Sequence, residues 1–401
     1  MKYIVILCDG MADEPLEELG GRTPLEAART ENMDRLAKSS EIGMVQTVPD
    51  GMAPGSDTAN LSVIGYDPRK YYTGRSPLEA LSIGAPMEPS DVSFRCNLVT
   101  LSEEEENYED RHILDHSSDE ISTEEAAELI RALSEGLKRD GYTFYVGTSY
   151  RHLLIQKNGT VVELTAPHDI LTKRIGEYLP EDEVLREMMI KSYDILKDHP
   201  INVKRRAEGK NPANSAWFWG AGTRPMLTSF EEKNGVKGAM ISAVDLLKGI
   251  AAGAGMHNII VEGANGGLNT NYSGKAEAAV KALTEDGFDF VYVHIEAPDE
   301  MGHQGSVERK IQAIENIDEK IIGPVNRTLD AEGTAYRMLI LPDHPTPIRV
   351  RTHTSDPVPY LLYDSTKAMD GMDTYSEKTG RETGIFEKEG YHLIDHLLSV
   401  K

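Results

Sequence analysis

Cysteine is nearly absent from this 401-residue chain: Cys8 and Cys96 are the only two, and they form no CxxC pair. A disulfide framework, a zinc knuckle and a dithiol redox motif are therefore unsupported. Cys8 lies inside an apolar run and reads as a small core residue. Basic charge is also scarce: against 66 Asp and Glu stand only 42 Lys and Arg, for a net charge of -24. With no basic surplus to neutralise phosphates, nucleic acid and anionic membranes are not expected partners. An anionic small molecule stays open, because metal ions and a few local cations reverse the field within a pocket. No apolar run approaches the ~20 residues of a membrane helix. The opening MKYIVILCDG is too short in its apolar part for a signal peptide and has no small-residue cleavage site, so a cytoplasmic location is expected. Neither GxGxxG nor GxxxxGK[ST] occurs; the nearest approach, NTNYSGKA, lacks the first Gly and the terminal Ser/Thr, which disfavours an ordinary kinase. The CxPxR motif of a sulfatase is missing too.

What is present is a set of apolar runs that stop at acids. YIVILCDG closes on Asp9, FVYVHIEAPDEMGH carries Asp299 and His303, RMLILPDHP carries Asp343 and His344, and His353 follows in RTHTSDP. Short Val/Ile/Leu runs ending in polar residues are characteristic of strands in a covered parallel sheet. Ligands of such sheets collect beyond the carboxyl ends of the strands. Carboxylates and imidazoles gathered there suit one or two divalent cations, with Mn, Zn and Mg all compatible.

Length and rhythm predict two domains. Residues 1–87 and 226–401 alternate strand and helix, as in a parallel sheet with helices on both faces. Within them TPLEAARTENMDRLAKSS reads as one helix opened by Thr23-Pro24, and PVPYLLY as a further strand. Residues 88–225 read as β-α-β-β-α-β, a ferredoxin-like insertion. There Ser122 and Glu125 have capping-box spacing, KNGT marks a hairpin, and Trp217 and Trp219 are expected in the core.

Each candidate has a plainer reading when taken singly. Asp9-Gly10 would start a turn, Asp299 would cap a helix, and Ser56, in APGSDTANLSVIGYDP, would cap the helix beginning there. The common place of Asp9, Asp299 and Asp343 at strand ends, with His353 just beyond, favours the metal reading. A serine at a helix N-terminus beside cations is also suited to nucleophilic attack on phosphorus.

Five stretches then carry a resemblance: ILCDGMADEPLEELGGRTPLEAARTENMDRLA, APGSDTANLSVIGYDPRKYYTGRSPLEAL, HIEAPDEMGH, LPDHPTP and HTSDPVPYLL. Together they make the whole chain resemble the cofactor-independent phosphoglycerate mutases of the archaeal type, within the alkaline phosphatase superfamily. It looks closer to a bacterial clade once proposed to contain homoserine kinases. The resemblance implies an α/β, alkaline-phosphatase-like three-layer domain, discontinuous around the inserted α+β domain, which would act as a substrate-binding lid. It implies one metal on Asp299, His303 and His353. A second would sit on Asp9, Ser56, Asp343 and His344, with Ser56 the nucleophile. Two divalent ions, Mn²⁺ foremost, and no bisphosphoglycerate would serve as cofactors. The implied substrate is phosphoglycerate, passed through a phosphoserine. His168, in Pro167-His168-Asp169, and Lys275 are implied in the substrate site. Arg95, Arg151 and Arg224 are the arginines suited to clamp a carboxylate or phosphate. A phosphotransferase acting on homoserine or a related alcohol, and a metal-dependent phosphomonoesterase, are the alternatives.

Overall fold

The computed structural model describes residues 1–399. They divide into two units, Met1–Tyr72 with the chain from Leu227 onward, and Thr73–Met226. The sequence places the first boundary after Met87, and the structure places it after Tyr72. The helix Arg75–Ser82 accounts for the shift, because it packs on the second unit's sheet. Ser76 Oγ bonds Ser93 Oγ at 2.9 Å and Glu79 pairs with Arg95 at 3.0 Å.

The first unit opens with β1 (Lys2–Cys8) and β2 (Glu41–Val45). The second holds β3 (Val92–Leu101), β4 (Ile113–Asp115), β5 (Tyr142–Thr148), β6 (Arg151–Gln156) and β7 (Ser215–Thr223). After the return come β8 (Gly238–Ile241), β9 (His257–Ile259), β10 (Phe290–Ile295), β11 (Tyr336–Leu341), β12 (Val358–Asp364) and β13 (Phe386–Glu387). Among the described residues, the first unit's sheet has eight strands in the order β13-β2-β12-β11-β1-β10-β8-β9. At its centre β1 runs parallel to both neighbours, with Ile6 opposite Val293 and Ile340. Ile4, Ile6 and Cys8 pack with Val291, Val293 and Ile295 in one core. Val5 and Leu7 are just as buried and, by the two-residue repeat, point to the opposite face. Helices Glu31–Ala37, Tyr272–Thr284 and Val307–Ile317 serve the first face, and Asp245–Gly253 and Leu393–Leu398 the second. Among the described residues no helix is long and apolar enough to cross a membrane.

Three further expectations are corrected. PVPYLLY does not extend a wholly parallel sheet: β12 runs antiparallel to β11 and β2. Parallel neighbours need a crossover, usually a helix; the stretch 342–357 contains none, so the chain simply turns back. This return brings His353 to the edge where β11 ends. The helix expected from Thr23 is two, Pro24–Ala27 and Glu31–Ala37. The Asp318 carboxylate takes the N–H groups of Asn32 (3.1 Å) and Met33 (2.7 Å), capping a new helix where one would have continued. KNGT does not lead into a hairpin strand, since both edges of β6 are already paired, to β3 and β5.

In the second unit β3, β5, β6 and β7 lie in the order β7-β3-β6-β5, every neighbour antiparallel. Helices Thr123–Gly136 and Glu183–Leu196 connect them in the β-α-β-β-α-β sequence of a ferredoxin-like fold. Ser122 caps the first helix through Glu125 N at 3.3 Å. Phe94, Cys96 and Leu98 join Leu129, Met188, Met189 and Trp217 in the core. Ser93, Arg95 and Asn97 therefore occupy the other face of β3.

Candidate active site

The three central strands of the first unit end side by side, and the acids follow directly. Asp9 comes after β1, the helix Ala297–His303 after β10, and Asp343-His344 after β11. Asp299 and His303, at i and i+4, share one helix face. His303 Nε2 lies 3.1 Å from Asp299 Oδ2, and His353 Nε2 lies 3.4 Å from Asp299 Oδ1. The two imidazoles meet at 3.1 Å, Nε2 to Nε2. Beside them His344 Nε2 is 3.5 Å from Asp9 Oδ1, 3.4 Å from Asp343 Oδ2 and 3.1 Å from Ser56 Oγ. Donor atoms of Asp9, Asp343 and His344 all lie within 4.8 Å of one another, as do those of Asp299, His344 and His353. His344 thus stands at the junction of the two groups.

The plainer readings of Ser56 and Asp299 do not describe this geometry. Gly55 occupies the N-cap of helix Ser56–Val63 and makes no side-chain cap bond; Ser56 is the first helical residue, with its hydroxyl turned to His344. Asp299 is likewise inside its helix, whose N-cap is Glu296. Close packing of the loops requires Gly10, at φ +61°, where a Cβ would stand 2.5 Å from Thr346 Oγ1 and 2.7 Å from Asp299 Cα.

The charges call for cations. Burial and the neighbouring Asp343, Asp299 and Glu296 carboxylates push Asp9 well above the usual carboxylate range. Asp9 Oδ1 is buried without a hydrogen-bond partner, a costly state for a charged oxygen. Burial also opposes the charge on Asp299, but hydrogen bonds from His303 and His353 prevail and hold it well below the ordinary value. The bond to Asp299 raises His303 to about 9. An orphaned carboxylate oxygen, two imidazole nitrogens converging on one carboxylate, and mixed O/N donors fit divalent metal ions of the Mn, Zn and Mg class.

Several residues that close this site carry no signal in an end-of-strand search. Lys310 is fully buried; its ammonium bonds Asp13 Oδ2 (2.7 Å), Ala12 O (3.2 Å) and Thr346 O (2.9 Å). Thr346 in turn donates to Asp299 Oδ1. One buried ion pair therefore ties the loops after β1 and β11 together. Removing one partner strands the other charge, so Lys310→Met should lower stability by about 3–5 kcal/mol, read from urea unfolding of the full chain. Asn60, Tyr292 and His294 are also buried polar residues beside the carboxylates. Tyr292 and His294 leave a legible signal, a polar group recurring every second residue inside the apolar run FVYVHI.

The substrate-site candidates fall in both units. In the second, Arg95 is buried, with its guanidinium 4.2 Å from the Trp219 ring centroid. The exposed His168 meets the same indole edge-on at 5.1 Å. Trp219 donates its N–H to Asn97 Oδ1 (2.9 Å), so it organises a polar face, whereas Trp217 is core as expected. Arg151 is exposed beside Tyr150, and Arg224 is exposed with Nη1 on Met87 O. In the first unit Lys275 is fully buried and donates to the His294 carbonyl at 2.8 Å; it supports β10 from within the core.

The family model described as 2,3-bisphosphoglycerate-independent phosphoglycerate mutase matches residues 37–202. A Methanosarcina mazei protein named 2,3-bisphosphoglycerate-independent phosphoglycerate mutase is 48% identical over 99% of this chain and 100% of its own length. The solved structure of the PH0037 protein from Pyrococcus horikoshii is 32% identical, with a TM-score of 0.83 over 100% of this chain and 98% of that one. The cofactor-independent phosphoglycerate mutase from Thermoplasma acidophilum is 28% identical, with a TM-score of 0.65 over 99% of both chains. The chain belongs to the 2,3-bisphosphoglycerate-independent phosphoglycerate mutase family.

Proposed function

We propose that the chain interconverts 3-phosphoglycerate and 2-phosphoglycerate through a phosphorylated Ser56. The observation that carries this reading is Ser56 Oγ, placed at the start of a helix and 3.1 Å from His344 Nε2, where both donor groups meet. One divalent ion would be held by Asp299, His303 and His353, the other by Asp9, Ser56, Asp343 and His344, with Mn²⁺ best suited. When bound, such ions lower the hydroxyl pKa and neutralise charge on the transferred phosphoryl group.

The chain's own residues supply the rest. Ser56 Oγ forms its bond to phosphorus as the bond from phosphorus to the glycerate 3-oxygen breaks. The proton lost by the serine is matched by the one that oxygen gains. The N-terminal end of helix Ser56–Val63 favours negative charge built on that oxygen and on the phosphoryl group. Glycerate then turns, and its 2-hydroxyl takes the phosphoryl group back. Glycerate must stay bound and water must stay out, since hydrolysis of phosphoserine would release free phosphate. The groups proposed to hold the glycerate carboxylate are Arg95, Arg151, Arg224 and His168, with Trp219 holding Arg95 by a cation–π contact.

The test is to incubate the Mn²⁺-loaded full chain with 3-phosphoglycerate, without bisphosphoglycerate, and identify the product. The reading expects 2-phosphoglycerate. Free phosphate in its place would make the enzyme a phosphomonoesterase, and phosphohomoserine formed from ATP and homoserine would make it a phosphotransferase.

A further inference from the structure

We propose that Tyr292 and His294, two residues apart on β10, are positioning residues that set the carboxylates of Asp343 and Asp9 to receive the second cation. The inference rests on the two-cation reading above. Residues i and i+2 of a strand share a face, and both side chains are fully buried, where polar groups must find partners.

His294 acts on Asp9. Its Nδ1 is 3.2 Å from Ser242 Oγ, which already accepts the Val244 N–H at 3.0 Å. A carboxylate oxygen facing Nε2 can only accept, so Nδ1 takes the serine proton and the ring hydrogen is on Nε2. From there it is donated to Asp9 Oδ2 at 2.9 Å. One Asp9 oxygen is therefore fixed, while the other, Oδ1, is the buried oxygen without a partner. Tyr292 acts on Asp343 through Asn60. Its hydroxyl donates to Asn60 Oδ1 at 2.6 Å. The Asn60 amide nitrogen then donates to Asp343 Oδ2 and to Ser56 O, each at 2.8 Å. Asp343 Oδ1 accepts from the N–H groups of Gly10 (3.1 Å) and His344 (2.9 Å). A single strand thereby orients both carboxylates and ties them to the helix that carries Ser56.

The test is calorimetric titration of the metal-stripped full chain with MnCl₂. The wild-type chain should show two sites. Tyr292→Phe and His294→Leu should each weaken one of them by about 10–100-fold and leave the other unchanged, the usual effect of losing an outer partner of a ligand. His294→Gln, which keeps a donor near the Nε2 position, should recover most of that loss. Turnover of the weakened variants should return as Mn²⁺ is raised. Tyr292→Phe removes only a hydroxyl and keeps the ring packing, so it carries the test if His294→Leu does not fold. Two sites of wild-type affinity in Tyr292→Phe, or equal weakening of both, would overturn the inference. Fewer than two sites in the wild-type chain would instead overturn the two-cation reading, and the inference with it.

Discussion

Ser56→Ala should lower kcat by about 10⁴-fold or more, because removing a covalent nucleophile leaves only binding and electrostatic assistance. The fold should be nearly unaffected. Ser56 is half-buried, it is not the residue that caps its helix, and among the described residues its hydroxyl bonds His344. Metal affinity should fall modestly at one site, since Asp9, Asp343 and His344 are still gathered there. The wild-type chain, quenched in acid during turnover, should yield a peptide containing Ser56 with one added phosphoryl group, and the alanine variant should not. If Ser56→Ala kept more than a few per cent of wild-type turnover, the phosphoserine route would be wrong however well the metals bound.

Much of this site is legible in the chain because the fold places chemistry where the hydrophobic pattern stops. Asp9, Asp299, Asp343 and His344 each follow an apolar run, and those runs are the three adjacent central strands. A local pattern identifies such residues because the strand end and the functional group are neighbours in sequence. His353 is legible only as a histidine beyond the last of these acids. What brings it in is the antiparallel return of β12, a consequence of a connection without a helix, and no periodicity announces that. The residues that orient the donors were least visible. Lys310 lies on the amphipathic helix Val307–Ile317, where a lysine reads as solvated. Its burial follows from Asp13, distant in sequence, and from two carbonyls that only the assembled loops present. The break between the helices Pro24–Ala27 and Glu31–Ala37 is of the same kind, imposed by the carboxylate of Asp318 against a local preference for helix. The domain boundary shifted for a related reason. The amphipathic pattern of Arg75–Ser82 reveals a face to bury, but not which sheet will bury it.

Stripping the metal ions should abolish turnover, Mn²⁺ should restore it, and the stabilisation that Mn²⁺ confers should grow as the pH rises. Saturation at about a hundred times the dissociation constant contributes about 2.7 kcal/mol to the folded state. The pH dependence follows from the metal-free site. Asp299 raises the folded pKa of His303 from 6.5 to about 9. A raised pKa means that the folded state holds the proton more tightly than the unfolded chain. The resulting stability is complete below pH 6.5 and is lost as the pH climbs through 9. The His303 side chain is 35% exposed, so solvent screening reduces this contribution to on the order of 1 kcal/mol. Asp9 works in the same direction: its folded pKa is raised by burial and by Asp343, so its buried charge becomes a growing burden as the pH rises above 3.8. A metal ion binds the deprotonated donors and relieves both penalties. His344 and His294 are both lowered by burial, His294 to about 3; their contributions are lost on acidification and are constant above pH 6.5. Between pH 6.5 and 9 the melting temperature of the stripped chain should therefore fall faster than that of the Mn²⁺-loaded chain. Paired thermal melts across this range would show the gap widening. A constant or narrowing gap would mean that Asp9 and His303 do not face the ions.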